Sequence, residues 1–176
     1  MDASRLKRLE YSKMVLDNPD LMSPLLQILF MVDDPTSVRA AWILEFVCRE
    51  RLNYLFPHLD IFTEKLNTIH LDSAVRPIAK VCECLAEDYY GITNFGTKNV
   101  LSKQHIEAIV EACFDYMISD HKIAPKAYSM NTLYLFGQNI DWIYPELKSI
   151  IQRDYSKQSA GYKARARHIL KKINRS

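Results

Sequence analysis

Apolar positions along the chain recur with the three- and four-residue spacing of α-helices. In the segment 21–32 they fall at i, i+4, i+7 and i+8, on one helical face: Leu21, Leu25, Ile28 and Leu29. A similar stripe occurs in 104–118, whereas in 35–52 apolar residues surround the whole helix, as in an element packed between neighbours. Strict alternation of apolar and polar residues never extends beyond a few positions, so the pattern predicts an all-α chain.

Glycine, proline and aspartate divide this pattern into separate helices. Only four glycines occur, the first at Gly91, and β-hairpins depend on glycine in their turns, so the first ninety residues are predicted to be helical. Asp34 and Asp72 are predicted N-caps, and Pro35 suits a first helical position. Phe56-Pro57 is predicted to open a helix. The prediction is a single domain, 1–176, with these parts: a capping helix at 3–17, helix pairs at about 19–52, 56–87, 104–137 and 144–174, and a loop at 88–103.

A phrase in the sequence recurs at a fixed distance. The segment 36–50, TSVRAAWILEFVCRE, is similar to 73–87, SAVRPIAKVCECLAE, and the Val-Arg pairs of the two lie 37 residues apart. Weaker echoes follow, so that the basic residue of the phrase recurs with steps of 37, 50 and 37: Arg39, Arg76, Lys126 and Lys163. A period of 20–50 residues is typical of arrays in which each unit buries its apolar face against the next one.

The repeated phrase, with an acid before it and a leucine-spaced helix before that acid, resembles the HEAT and armadillo-like helical repeats, as in a short bacterial HEAT-like protein. The resemblance covers nearly the whole chain except 88–103, although Lys157 stands where the fourth unit would carry an acid. It implies a right-handed α-α superhelix (solenoid) of about four HEAT-like helix pairs with an N-terminal capping helix. It also implies a ladder of acids and bases that joins neighbouring turns: Asp33, Arg39, Asp72, Arg76, Asp120 and Lys126.

Motifs for catalysis, metal binding or cofactor binding are missing from the sequence. The five histidines are scattered without metal-ligand spacing, and the four cysteines form no Cys-x-x-Cys. Neither a glycine-rich phosphate loop nor the Ser-Ser-x-Met-Pro loop of the adenylosuccinate lyase type occurs, so a lyase function is not supported. We therefore expect buried thiols in a reducing compartment, no cofactor, and a binding protein rather than an enzyme.

The charge of the chain is concentrated at its C-terminal end. The net charge is +2, but residues 157–176 carry seven Lys and Arg residues and no acid. The other residues hold sixteen bases and twenty-one acids, a net charge of −5. A terminal helix needs a polar face, and bases suit a helix C-terminus, which accounts for part of this charge. The remainder makes these residues, with a nearby aromatic side chain, candidates for binding an anion or a partner: Lys163, Arg165, Arg167, Lys171, Lys172, Arg175 and Trp142.

Two functions are therefore open. The first is a non-enzymatic protein–protein interaction scaffold, with an unknown protein held on the concave face formed by the second helices of the pairs. The second is nucleic-acid binding, with a role in DNA repair as one form of it, through the basic C-terminal helix and nearby aromatic residues. The charged N-terminus lacks the apolar core of a signal peptide, and the longest apolar stretches fall short of the 18 or so residues of a membrane span. These features predict a cytoplasmic protein with no membrane partner.

Overall fold

The computed structural model describes residues 5–175, and this part of the chain contains nine α-helices and no strand. The predicted all-α class is confirmed. Residues 3 and 4 of the predicted capping helix lie outside the described range. The helices are α1 Arg5–Asp17, α2 Met22–Leu29, α3 Pro35–Glu50, α4 Leu59–Glu64, α5 Asp72–Tyr89, α6 Lys103–Ile118, α7 Ile123–Phe136, α8 Ile143–Asp154 and α9 Ala160–Ile173. Short 3-10 segments lie between several of them, at Pro19–Leu21, Leu52–His58, Leu66–Thr68, Thr97–Asn99 and Tyr155–Lys157.

The odd-numbered helices pack side by side in chain order. Helix α3 lies between α1 and α5, and α7 lies between α5 and α9. Three of the even-numbered helices pack against this odd row: α2 contacts α3, α6 contacts both α5 and α7, and α8 contacts α7 and α9. Helix α6 also contacts α4 and α8. The apolar core lies between the two sets of helices, and its largest fully buried side chains come from both: Met22, Leu44, Phe62, Ile78, Leu85, Ile109, Phe136 and Tyr162.

Polar side chains fix where several helices begin. The Asp34 carboxylate accepts hydrogen bonds from the Thr36 backbone N–H at 2.8 Å and from the Thr36 hydroxyl at 2.7 Å, with Pro35 as the first residue of α3. The predicted cap at Asp34 is confirmed. The prediction for Asp72 is wrong: Asp72 is the first residue of α5, and Leu71 precedes it without a side-chain cap. The Asp72 carboxylate instead reaches the turn between α6 and α7, as described below.

The helix predicted to open at Phe56-Pro57 is much shorter than the sequence pattern indicates. Pro57 lies inside the 3-10 segment Leu52–His58, and the α-helix begins only at Leu59. Helix α4 spans only six residues. Its Thr63 hydroxyl donates to the Leu59 carbonyl at 2.8 Å and so competes with the backbone for the same acceptor. The first helix of this predicted pair is therefore three short helical pieces.

The loop between α5 and α6 is held by one buried carboxylate. Asp88, in the last turn of α5, accepts hydrogen bonds from the Thr93 hydroxyl at 2.7 Å, the Phe95 N–H at 2.6 Å and the Thr97 N–H at 2.8 Å. Gly96 has a φ of +98°, a conformation that glycine adopts without the strain other residues would suffer. The longest connection in the chain is thus ordered by Asp88. Among the described residues, no helix is long and apolar enough to cross a bilayer.

Candidate functional site

One face of the odd row carries a continuous stripe of aromatic, acidic and basic side chains, which we call the polar stripe. Its members recur at helical spacing of three and four residues on α3, α5 and α7, so they lie on one face of each helix. They are Trp42, Glu45, Arg49, Arg76, Lys80, Glu83, Glu87, Tyr128 and Asn131.

The first part of the stripe is built around Trp42. The Arg76 guanidinium carbon lies 4.3 Å from the centroid of the Trp42 ring, and that of Arg8, on α1, lies at the same distance. Arg76 also lies 5.8 Å from the Tyr128 ring and donates to its hydroxyl at 3.4 Å. Four helices, α1, α3, α5 and α7, thus contribute to one group of aromatic rings and cations.

Glu45 supplies the negative charge at this position. Its carboxylate accepts a hydrogen bond from Arg76 at 3.0 Å and lies 3.8 Å from the guanidinium of Arg49. Burial raises the pKa of Glu45, and the positive charges of Arg76 and Arg49 oppose that rise. Arg76 is one-third exposed, so the pair connects the protein interior with the surface.

The second part of the stripe is a network between α5 and α7. Lys80 donates to Glu83 at 2.7 Å and lies 3.9 Å from Glu87, while the Asn131 amide donates to Glu83 at 2.9 Å and to Glu87 at 3.4 Å. Burial disfavours the Lys80 ammonium, but the hydrogen bond and charge of Glu83 outweigh this effect and raise the pKa of Lys80. Burial, followed by the nearby charge of Glu83, raises the pKa of Glu87.

Two of the three acids of the predicted ladder, Asp33 and Asp72, contact the next turn of the chain through histidines. Asp33 lies 3.3 Å from Nε2 of His70, in the turn before α5. Asp72 lies 3.1 Å from Nδ1 of His121, in the turn before α7, and 3.8 Å from the Lys122 ammonium. Successive turns are therefore joined by acid–histidine contacts, which replace the acid–arginine contacts that the repeat pattern implied.

The other ladder residues lie apart from those contacts. Asp120 is exposed, and no ion pair involves it within residues 5–175. Arg39 is half-buried near Asp34. Lys126 is buried, and its charge, after the hydrogen bond and charge of Arg153, lowers the pKa of Asp154. Arg76 is drawn to Glu45, so none of the three bases pairs with a ladder acid in the described part of the chain.

The basic residues of α9 do not come together with Trp142. Arg167 donates to the Tyr155 hydroxyl at 3.0 Å, Lys163 donates to the Ser156 carbonyl at 3.3 Å, and Lys172 lies 5.1 Å from the Tyr134 ring. Two bases four residues apart on α9, Arg167 and Lys171, are exposed, and so is Arg175, which follows the end of the helix. Arg165 is half-buried, and its charge reaches Glu87. Trp142 lies at the start of α8 and faces a different region.

Trp142 lines a cavity of about 850 Å³ between the C-terminal ends of α5 and α7 and the exposed side of α6. We call it the aromatic cavity. Trp142 is 56% exposed and stacks on Phe114, with ring centroids 5.5 Å apart. The remaining aromatic rings of the cavity belong to Tyr89, Tyr90 and Phe136. Apolar side chains complete the wall: Leu101, Ile106, Val110 and Ile140.

Sequence reasoning missed both the polar stripe and the aromatic cavity. Glu45 is the one charged residue in the apolar segment 40–48, and such a residue signals a buried partner. Lys80, Glu83 and Glu87 share one helical face, a spacing that could have been noticed. The cavity joins residues up to about fifty positions apart, and no local pattern indicates it. Among the described residues, no group of three histidines, cysteines or acids is placed to hold a metal ion.

Comparisons with protein-family models, with curated proteins and with solved structures found no significant match to this chain.

Proposed function

We propose that the chain is a non-enzymatic protein–protein interaction scaffold, a short right-handed solenoid of about four HEAT-like pairs that acts in the cytoplasm. The polar stripe carries the proposal, because it gathers Trp42, Arg76 and Tyr128 with Arg8 on one face of the odd row. Tryptophan, tyrosine and arginine are the residues that most often dominate protein–protein interfaces. A segment of a partner protein would lie across the odd row on these side chains.

The stripe is also held in place before a partner arrives. Glu45 fixes the Arg76 guanidinium, and the two rings that Arg76 contacts limit its motion further, so little side-chain entropy remains to be lost on binding.

Affinity capture with matched variants tests the proposal. The stripe variant combines Trp42→Ala with Arg49→Glu. The control combines Ile61→Ala with Lys98→Glu, which makes the same change of charge and shortens an apolar side chain at exposed positions outside the stripe. We expect the wild type and the control to capture the same partner protein, and the stripe variant not to capture it. If Trp42→Ala lowers the stability of the protein, Arg49→Glu alone is used as the stripe variant, since Arg49 is 54% exposed and its substitution disturbs little packing. A captured protein that depends on the control positions and not on the stripe would contradict the proposal.

A second candidate function, nucleic-acid binding, is favoured by the exposed basic side of α9. Arg167 and Lys171 are four residues apart and lie on one face of α9, and the exposed Arg175 follows two residues after the helix ends. Phosphate contacts of this kind weaken steeply as salt rises. A mobility-shift assay at low salt with single- and double-stranded DNA tests it, comparing Lys171→Gln/Arg175→Gln with Lys13→Gln/Lys98→Gln. A missing shift, or an equal loss in both variants, would exclude this function.

A further inference from the structure

The aromatic cavity presents the faces and edges of five rings to one space. Tyr89, Tyr90 and Phe136 form a triad with centroid distances of 5.2, 5.8 and 6.0 Å. Phe114 and Trp142 form a stacked pair that lines the same cavity. Its volume of about 850 Å³ lies within the range of about 300–1,000 Å³ typical of ligand sites. Aromatic walls of this kind attract cations through the negative faces of their rings.

The rim of the cavity is acidic. Glu107, Glu111 and Asp115 follow one another at four-residue intervals on α6, all three are exposed, and all three line the cavity. The one base among the lining residues, Lys103, lies 3.6 Å from Glu107 and offsets part of that charge. The rim therefore has an excess of two negative charges, although the chain as a whole is positive. This local sign favours a cationic group and disfavours an anion.

One wall also offers a directional contact. The Tyr90 hydroxyl donates to the Asn139 side-chain oxygen at 2.8 Å, which fixes the orientation of the Asn139 amide. The amide nitrogen makes no hydrogen bond to any described residue, and it can donate to a backbone carbonyl of a bound peptide. Burial raises the pKa of Tyr90 to about 12, so its hydroxyl keeps this proton at neutral pH.

We propose that the aromatic cavity binds a lysine side chain on a basic segment of a partner protein. The aliphatic stem of lysine would pack on the rings while its ammonium reaches the carboxylates of the rim. The proposal rests on the proposed function as an interaction scaffold and adds a second contact point, on the side of α6. The occupant is a basic segment because the rings and the acids together exclude an acidic one.

Binding of a synthetic peptide tests this site directly. The probe is a fluorescently labelled GGKKKGG peptide, with GGQQQGG as its uncharged counterpart, and binding is followed by fluorescence anisotropy at low salt. Backbone resonances of Val110 and Phe114 in the ¹⁵N-labelled protein report whether the peptide occupies the cavity. We expect the lysine peptide to bind and shift these resonances, and the glutamine peptide to leave them unchanged. An unchanged spectrum at saturating lysine peptide would overturn the proposal.

Two protein variants separate the cavity from general attraction to an acidic surface. The rim variant is Glu107→Gln/Glu111→Gln/Asp115→Asn, and its control is Asp17→Asn/Glu50→Gln/Glu64→Gln, which removes the same charge from exposed positions elsewhere. Trp142→Leu removes a ring and keeps the charge. We expect the rim variant and Trp142→Leu each to weaken binding about tenfold. Equal losses in the rim variant and its control, or full affinity in Trp142→Leu, would contradict a cavity-bound lysine.

The outcomes also separate failure of this inference from failure of the proposed function. They further separate binding of a partner protein from binding of a second copy of the chain. If the lysine peptide fails to bind but the stripe variant still loses its captured protein, this inference is wrong and the scaffold function stands. Sedimentation of the wild type checks whether the occupant is the basic α9 of a second copy. Self-association that the rim variant abolishes would overturn the assignment to a partner protein, whereas a wild-type monomer agrees with it.

Discussion

Glu45 on α3 and Arg76 on α5 form an ion pair in which only 3% of the Glu45 side chain is exposed. Removal of a charged group from water costs several kcal/mol unless a partner of opposite charge compensates. The Arg76 guanidinium provides that charge and also contacts Trp42. The pair therefore links the position of the surface arginine to the packing of α3 against α5.

We expect Arg76→Ala to lower the free energy of unfolding by about 2 kcal/mol, because the Glu45 carboxylate stays buried and loses the charge of Arg76. The double change Glu45→Leu/Arg76→Met should restore most of this loss, since it removes both charges and keeps the volume. Urea unfolding at pH 7 measures both. Arg49→Ala is the control, with an expected cost under about 1 kcal/mol, because Arg49 is largely exposed. Wild-type stability in Arg76→Ala would show that the pair does not hold α3 to α5.

The pH dependence of stability should show the effect of Asp88. Burial alone would raise the pKa of Asp88, but the hydrogen bonds from Phe95, Thr93 and Thr97 outweigh it and hold the pKa below its ordinary value. A lowered pKa in the folded state stabilises the protein above the unfolded value of about 3.9, and this contribution is lost as the pH falls through the folded value. We therefore expect Asp88→Asn to cost about 2 kcal/mol at pH 7 and progressively less below about pH 4.

Unfolding titrations at several pH values, with Asp17→Asn as an exposed control, measure this difference. A cost of Asp88→Asn that stays constant from pH 7 to pH 3 would contradict the predicted role of the carboxylate charge. Amide exchange should rise at Phe95 and Thr97 in Asp88→Asn, because these N–H groups lose a charged acceptor.

Gly137 should tolerate no larger residue. Its φ is −63°, which any residue can adopt, but a Cβ atom there would overlap the ring of Tyr144. We expect Gly137→Ala to lower the melting temperature, with a cost of about 1–3 kcal/mol from overpacking. Gly161→Ala is the matched control, since the added methyl would meet only the flexible end of Ile123 in the first turn of α9. That substitution should be neutral or slightly stabilising, and an equal loss in both would refute the steric explanation.

The four thiols should react slowly in the native protein. Burial raises the pKa of Cys48, and a hydrogen bond with Cys113 together with burial raises the pKa of Cys82. Burial also raises the pKa of Cys84 to about 11, although this residue is only half-buried. Since the thiolate is the reactive form, we expect little reaction with a disulfide reagent at pH 8 and four thiols after denaturation. Fast modification of any of the four native thiols would contradict these surroundings.

Much of the fold follows from the sequence because its signals are local. The Asp34-Pro35 cap and the apolar stripe of α6 depend on neighbours within one or two helical turns, so pattern reasoning identifies them. Asp72 was misassigned because its carboxylate serves His121, forty-nine residues away, and no cap pattern encodes that distance. Pro57 misled the prediction in another way: a proline suits the start of an α-helix, but here it lies inside a 3-10 segment and α4 begins two residues later.

The candidate sites were harder to predict than the helices. Arg76 was singled out for its place in the repeat, yet its partner Glu45 comes from the preceding odd-numbered helix. The aromatic cavity depends on how α6 meets the ends of α5 and α7, and Trp142 alone among its rings was a candidate from the sequence. Side chains that act together across helices become visible only when the packing of those helices is known.

The two tryptophans of the chain lie in surroundings of opposite sign. Trp42 is flanked by the cations of Arg8 and Arg76, whereas Trp142 stands beside the carboxylates of α6. A negatively charged quencher is therefore attracted to one indole and a positively charged quencher to the other. The chain thus carries two intrinsic optical reporters, one for each candidate surface, and no dye or label is needed to read them separately.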